Sequence, residues 1–329
     1  MALTIILFFL GFLFLIKGAD ILINASSAVA KQFKISPWII GLTVVGIGTS
    51  LPELVVALMA NLKEASGVSF GVVIGSNIFN LLLILGLAAI INPIIFKKEW
   101  VYHDLPINFS VILVVILLII FNIGGADNFL GISRLAGALL LLLFFAWFYF
   151  LIKRKKDYHY EETVSSRVYS WPKAFSMIVL GITGTIIGGE WVVNGSIFFA
   201  EILDLPKSII GLTIISIGSS LPELFITIIA ALKKQAGLAV GNIIGSNIFD
   251  FLAIIGIVAL VKPMAFSSNL KIDLLIALFA SFLILFFTFI GKHPFWEKIF
   301  GKKYILNRWQ GVVMILFYIF YLYSLILRT

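Results

Sequence analysis

Gly48-Thr49-Ser50-Leu51-Pro52-Glu53 and Gly218-Ser219-Ser220-Leu221-Pro222-Glu223 are two versions of one hexapeptide, and Glu53 and Glu223 stand 170 positions apart. Each copy lies mid-way along a long apolar segment, where an ionised carboxylate costs about 2.5 to 3.5 kcal/mol on the gentlest insertion scale. Something must offset that cost. The same spacing carries Gly75-Ser76-Asn77-Ile78-Phe79-Asn80 onto Gly245-Ser246-Asn247-Ile248-Phe249-Asp250. Two motifs in one register mean an internal duplication.

The chain around these motifs has 329 residues, of which 61% are hydrophobic and only 12% charged, which places it outside the composition of soluble globular proteins. Apolar stretches of membrane-crossing length fall at about 3 to 24, 37 to 61, 67 to 92, 104 to 122 and 131 to 152, and again at about 172 to 197, 207 to 232, 237 to 261, 271 to 291 and 309 to 327. The expected fold is an all-α polytopic membrane protein of about ten helices; runs such as Leu139 to Phe145 lack the alternation of a β-barrel. Residues 5 to 16 have no basic stretch before them, and Gly18, Asp20, Asn24 and Ser26 recur as Gly188, Glu190, Asn194 and Ser196. The segment therefore reads as a first helix and not as a cleaved signal.

Five helices per copy is an odd number, so the second copy enters the membrane from the opposite side. The expected units are residues 1–152 and 172–329, inverted relative to each other, with a linker at 153–171 and motif regions at 41–80 and 211–250. A formal charge of +8 raises the question of nucleic acid, but the basic residues sort by loop instead. Lys31, Lys34, Lys97, Lys98, Lys153, Lys156, Lys173, Lys233 and Lys234 fall on one side; Lys63, Arg134, Lys262 and Arg328 fall on the other. The positive-inside rule then puts the linker in the cytoplasm and both termini outside a cell membrane. The lipid bilayer is the implied partner, with no nucleic acid and no obligatory protein.

Gly46, Gly48 and Pro52 interrupt the second helix, as Gly218 and Pro222 interrupt the seventh, because proline has no N–H for the carbonyl four residues back. Transporters with inverted repeats bind substrate at such breaks. Thr49, Ser50 and Glu53 share one face at helical spacing, as do Ser219, Ser220 and Glu223. Glycines spaced by four, Gly67, Gly71 and Gly75 and again Gly237, Gly241 and Gly245, permit close packing of the next helix. That packing brings Ser76 and Asn80, and Ser246 and Asp250, towards the breaks. Asp20 and Glu190 lie nearer helix ends and read as access or packing residues.

The pooled donors are Glu53, Glu223, Asp250, Asn80, Thr49, Ser50, Ser76, Ser219, Ser220 and Ser246, with the carbonyls near Gly46 and Ser216. All are oxygens apart from one amide nitrogen, which suits hard cations such as Ca²⁺; zinc, copper or iron would call for His or Cys. Three ionised acids make the site formally −3, so one Ca²⁺ or several Na⁺ would neutralise it. No resident cofactor is implied, and without a His or Lys at depth there is no base for serine chemistry, so an enzyme is not expected.

These motifs resemble the two α-repeats of the sodium/calcium exchangers of the cation/calcium antiporter superfamily, in their short prokaryotic form. The resemblance runs over essentially the whole chain. It implies alternating access at a midplane site, with the first and sixth helices sliding across it. It further implies a calcium site on Glu53 and Glu223 with the Thr49 and Ser219 carbonyls. Sodium sites would draw on Ser50, Ser76, Ser220 and Ser246 with the Gly46 and Ser216 carbonyls, and Asn80 and Asp250 would line the centre. Asp250 is similar to the potassium-dependent branch as well, so K⁺-dependent exchange is an alternative. Proton-coupled Ca²⁺ exchange is another, although that branch looks like G-N-x-x-E where this chain has Thr49-Ser50-Leu51-Pro52-Glu53. A channel would instead give conductive, uncoupled flux.

Overall fold

The computed structural model describes residues 2–125, 129–154, 169–202, 216–290 and 304–328. Every long element among them is a helix, as lipid demands of a backbone that must satisfy its own hydrogen bonds. The helices are α1 (Ala2–Phe33), α2 (Pro37–Thr49), α3 (Leu51–Leu62), α4 (Ser66–Ile91), α5 (Trp100–Ile120) and α6 (Arg134–Lys153). After the linker come α7 (Trp171–Ile202), α8 (Ser216–Ser219), α9 (Leu221–Leu232), α10 (Ala236–Val261), α11 (Lys271–Ile290) and α12 (Arg308–Arg328). Among the described residues 8 helices are long and apolar enough to cross a membrane, and 9 crossings result when α2 and α3, bent by 42°, count as one. The expected crossing at 207 to 232 is described only from Ser216 onward; most of the linker also lies outside the described residues.

The break between α2 and α3 follows from two residues. Ser50 leaves helical geometry at φ −81° and ψ 5°, and Pro52 sits in the first turn of α3, where a missing N–H costs nothing. Ser220 does the same at φ −91° and ψ 9° before α9. Each break places its glutamate in the first turn of a new helix. There the positive end of the helix dipole favours a carboxylate by about 0.3 to 1 kcal/mol.

Helix α1 runs to Phe33, well past the expected end near 24. Polar residues around that point are satisfied by protein: Asp20 pairs with Lys233 at 2.6 Å, Lys233 donates to Asn24 at 2.7 Å, and Ser27 donates to Gln235 at 2.7 Å. Helix α1 lies along α7, and their backbones touch: a β-carbon at Gly11 would stand 2.8 Å from the Gly188 carbonyl. Helix α10, buried along most of its length, crosses α2 just as closely. A β-carbon at Gly46 would come within 2.8 Å of the Ser246 nitrogen, and one at Gly245 would overlap the Leu42 carbonyl. The expected approach of the second glycine series is thus seen at Gly237, Gly241 and Gly245, whereas Gly67 and Gly71 meet nothing within 4 Å among the described residues.

Two short antiparallel ribbons tie the first half of the chain to the second. Ile94–Phe96 pairs with Tyr304–Leu306, and Gly131–Ile132 pairs with Met264–Ala265. Between the ribbons the apolar core is continuous, from Trp38 and Phe70 through Ile248 and Phe251 to Met314.

Candidate ion-binding site

Hydroxyls at the helix breaks bond across the two halves instead of along their own helix. Ser50 donates to Glu223 Oε1 at 3.4 Å, and Ser220 donates to Glu53 Oε1 at 3.2 Å. The shared helical face drawn from the i, i+3 spacing does not form, because Ser50 and Ser220 are themselves the non-helical residues. Ser219 also interacts with Glu53, and Thr49 with Glu223, so the exchange between halves is reciprocal.

Asn80 and Asp250 are drawn in by π-helical turns, at Phe79–Ile84 within α4 and Asp250–Ile254 within α10. Such turns add a residue to the helical repeat and often mark functional positions. Asp250 accepts from Ser76 at 3.3 Å and from Asn77 at 2.9 Å, and Asn80 donates to Asn247 at 3.1 Å. Ser246 points the other way, donating to the Gly46 carbonyl at 3.1 Å beside Thr49. That carbonyl also faces the Thr49 hydroxyl at 3.2 Å and the Ser50 N–H at 3.3 Å, so the helix break does not leave it bare. Ser216 opens α8, and its side chain lies outside what is described.

Glu53, Glu223 and Asp250 are each 1% exposed, and among the described residues no Lys or Arg is buried. The acids feel one another electrostatically. Yet among the described residues no three carboxylate or imidazole side chains form a single ligand cluster. Hydroxyls and amides are interleaved between the acids, giving adjoining positions in place of one three-carboxylate cage. Five oxygens in this set are buried with no hydrogen-bond partner among the described residues: Glu53 Oε2, Glu223 Oε2, Asp250 Oδ1, Asn77 Oδ1 and Asn80 Oδ1. Each bare acceptor costs about 1 to 3 kcal/mol, and more when charged. A hard cation is the ligand that such oxygens lack.

A cavity of about 480 Å³ reaches this set from one side, lined by Leu51, Pro52, Glu190, Gly218, Ser219 and Pro222 among others. Glu190 therefore stands on the approach to the site. Asp20 stands apart in its pair with Lys233.

Asn77, Asn242, Asn247 and Thr227 belong to the same network and were not singled out from the sequence. Asn77 and Asn247 sit inside the quoted motifs. Asn242 lies outside those motifs, and its counterpart 170 positions earlier is Val72; an unpaired departure from the repeat was the available signal. Two further buried acids have other work, Asp104 accepting from Trp38 Nε1 at 2.7 Å and Asp273 pairing with Arg328 at 2.9 Å.

Comparison with known proteins covers nearly the whole chain. The sodium/calcium exchanger protein family matches residues 3–153 and 173–327. The chain is 30% identical to the sodium/calcium exchanger MaX1 of Methanosarcina acetivorans over 95% of each protein, and 34% identical to the inner membrane protein YrbG of Escherichia coli over 84% of this chain and 87% of that one. Among solved structures, the sodium-calcium exchanger NCX_Mj soaked with Na⁺ and Ca²⁺ superposes with a TM-score of 0.80 at 31% identity, covering 98% of both chains. A match on both sides of the linker, with a shared fold over almost the full length, makes this chain a member of the sodium/calcium exchanger family.

Proposed function

We propose that the protein is a secondary-active antiporter that exchanges Na⁺ for Ca²⁺ by alternating access. The observation that carries this reading is the set of bare oxygens around three buried acids with no buried basic residue among the described residues to balance them. Glu53 and Glu223, with the Thr49 and Ser219 carbonyls, hold Ca²⁺. Ser50, Ser76, Ser220 and Ser246, with the Gly46 and Ser216 carbonyls, serve Na⁺, and Asn80 and Asp250 line the centre. An empty site of net negative charge resists passage through a low-dielectric barrier, whereas a loaded one passes. That difference makes the exchange obligatory.

The chain is built as ten crossings in two inverted units, 1–152 and 172–329, with both termini outside a plasma membrane and the linker in the cytoplasm. Contacts between loops support that arrangement. Phe33 meets Trp171, His103 meets Arg154 and Ile94 pairs with Leu306, all on the face assigned to the cytoplasm. Lys262 meets Glu64 and Gly131 pairs with Ala265 on the other. On this topology the cavity beside Glu190 opens outward, and the Asp20–Lys233 pair closes the cytoplasmic side.

Reconstitution tests the reading. Vesicles loaded with Na⁺ should take up ⁴⁵Ca only while an outward Na⁺ gradient exists, with K⁺ omitted and pH clamped. Uptake that persists without a counter-ion would mean a channel, and uptake that requires K⁺ or a pH gradient would mean another coupling ion.

A further inference from the structure

We infer that Asn242, locked by Thr227, is a positioning residue that readies the Gly46–Thr49–Ser246 side of the site for Na⁺ and makes the two halves of the site unequal. The inference rests on the antiport reading above and deepens it. Asn242, Thr227 and Thr49 are all 0% exposed. The Asn242 amide nitrogen donates to Thr227 Oγ1 at 3.0 Å and to the Glu223 carbonyl at 3.4 Å, which fixes the amide oxygen towards Thr49. The Thr49 hydroxyl lies 3.3 Å from that oxygen and 3.2 Å from the Gly46 carbonyl. It has one hydrogen, for which these two acceptors and the Glu223 side chain compete.

Where that hydrogen goes decides what a cation meets. When it goes to Asn242, the Thr49 oxygen is free to accept from Ser246, 3.4 Å away. The direction Ser246 to Thr49 to Asn242 then draws both hydroxyl hydrogens off the Gly46 carbonyl. The carbonyl and the Ser246 oxygen are left with lone pairs for an ion. Without an acceptor at position 242, the Thr49 hydrogen is shared between Glu223 and Gly46, Ser246 loses its reason to turn towards Thr49, and its own hydrogen caps the Gly46 carbonyl. Na⁺ has a single charge with which to turn hydroxyls and depends on this arrangement. Ca²⁺ has twice the charge and depends on it less.

The mirrored half has no such acceptor. Val72 and Ala57 occupy the positions equivalent to Asn242 and Thr227, and Ser76 there faces the Val73 carbonyl at 3.2 Å and Asp250 at 3.3 Å. The duplication therefore supplies its own control: N242V/T227A gives the second half the side chains that already pack in the first.

In proteoliposomes this double variant should raise the half-saturating Na⁺ concentration by about five- to tenfold, the worth of one realigned hydrogen bond. Half-saturation by Ca²⁺, read from Ca²⁺/Ca²⁺ exchange without Na⁺, should stay within about twofold. A purely structural role would move both constants together or neither, and either result overturns the inference. Should the double variant fail to fold, T227V unlocks the amide while keeping Asn242, and a smaller rise confined to Na⁺ is expected; no rise overturns the inference. Melting of the purified proteins against Na⁺ and against Ca²⁺ reads the same contrast without transport. A wild type that fails to exchange would therefore sink the antiport reading alone.

Discussion

Glu53 and Glu223 are held in place by groups that each spend only part of their bonding capacity, since a serine from the opposite half satisfies one oxygen and leaves the other bare. Replacing either with glutamine removes a charge where, among the described residues, no basic side chain is buried. Glu53→Gln or Glu223→Gln should therefore reduce Na⁺-driven ⁴⁵Ca uptake by about a hundredfold or more. In purified protein, Ca²⁺ at a hundred times its dissociation constant should stabilise the wild type by about 2.7 kcal/mol, and the glutamine variants should lose that shift in melting temperature. These two acids were legible because a duplicated carboxylate in an apolar run has no cheap explanation. Asn242 was not, because an amide in such a helix looks like ordinary packing until its three partners are seen.

At the scale of elements, the breaks after Thr49 and Ser219 could be read from proline and glycine, but their effect on the glutamates could not. Helical spacing suggested one face; the serine at each break leaves the helix and turns to the other half, and the glutamate gains a new helix N-terminus instead. The π-helical turns that bring in Asn80 and Asp250 have no signature in residue type, so the approach of those side chains was legible only as a consequence of close packing. Helix α1 outruns its apolar stretch because Asp20, Asn24 and Ser27 find partners across the fold, which hydropathy does not register. Packing of α2 on α10 is the tightest constraint on the site, as Gly245 abuts the Leu42 backbone. Gly245→Ala should push these helices apart and cost about 1 to 3 kcal/mol, measurable as a lower melting temperature together with weakened ion binding.

Two ribbons and ion pairs that include Asp20–Lys233 join the first half of the chain to the second, and the chain's lack of cysteine makes both testable by paired substitutions. Linking I95C to I305C, which are paired across a ribbon, should leave exchange intact, because the ribbon holds the halves together in every state. Linking D20C to K233C with a short bifunctional reagent should arrest exchange, because that pair must part when the face it closes opens; uptake before and after reduction of a cleavable linker is the measurement. That the chain is helical and crosses a membrane many times was legible from hydropathy, whereas the pairing of Asp20 with Lys233 needed the fold. Counting 170 positions from each partner leads to Glu190 and Lys63, the same two charge types that an inversion of the halves would carry to the opposite surface. A bolt with a twin on the far side favours neither position of the door. The resting preference of the protein is thus set by small differences between near-copies, so that the ions on either side and the voltage across the bilayer, more than the fold itself, decide which way it faces.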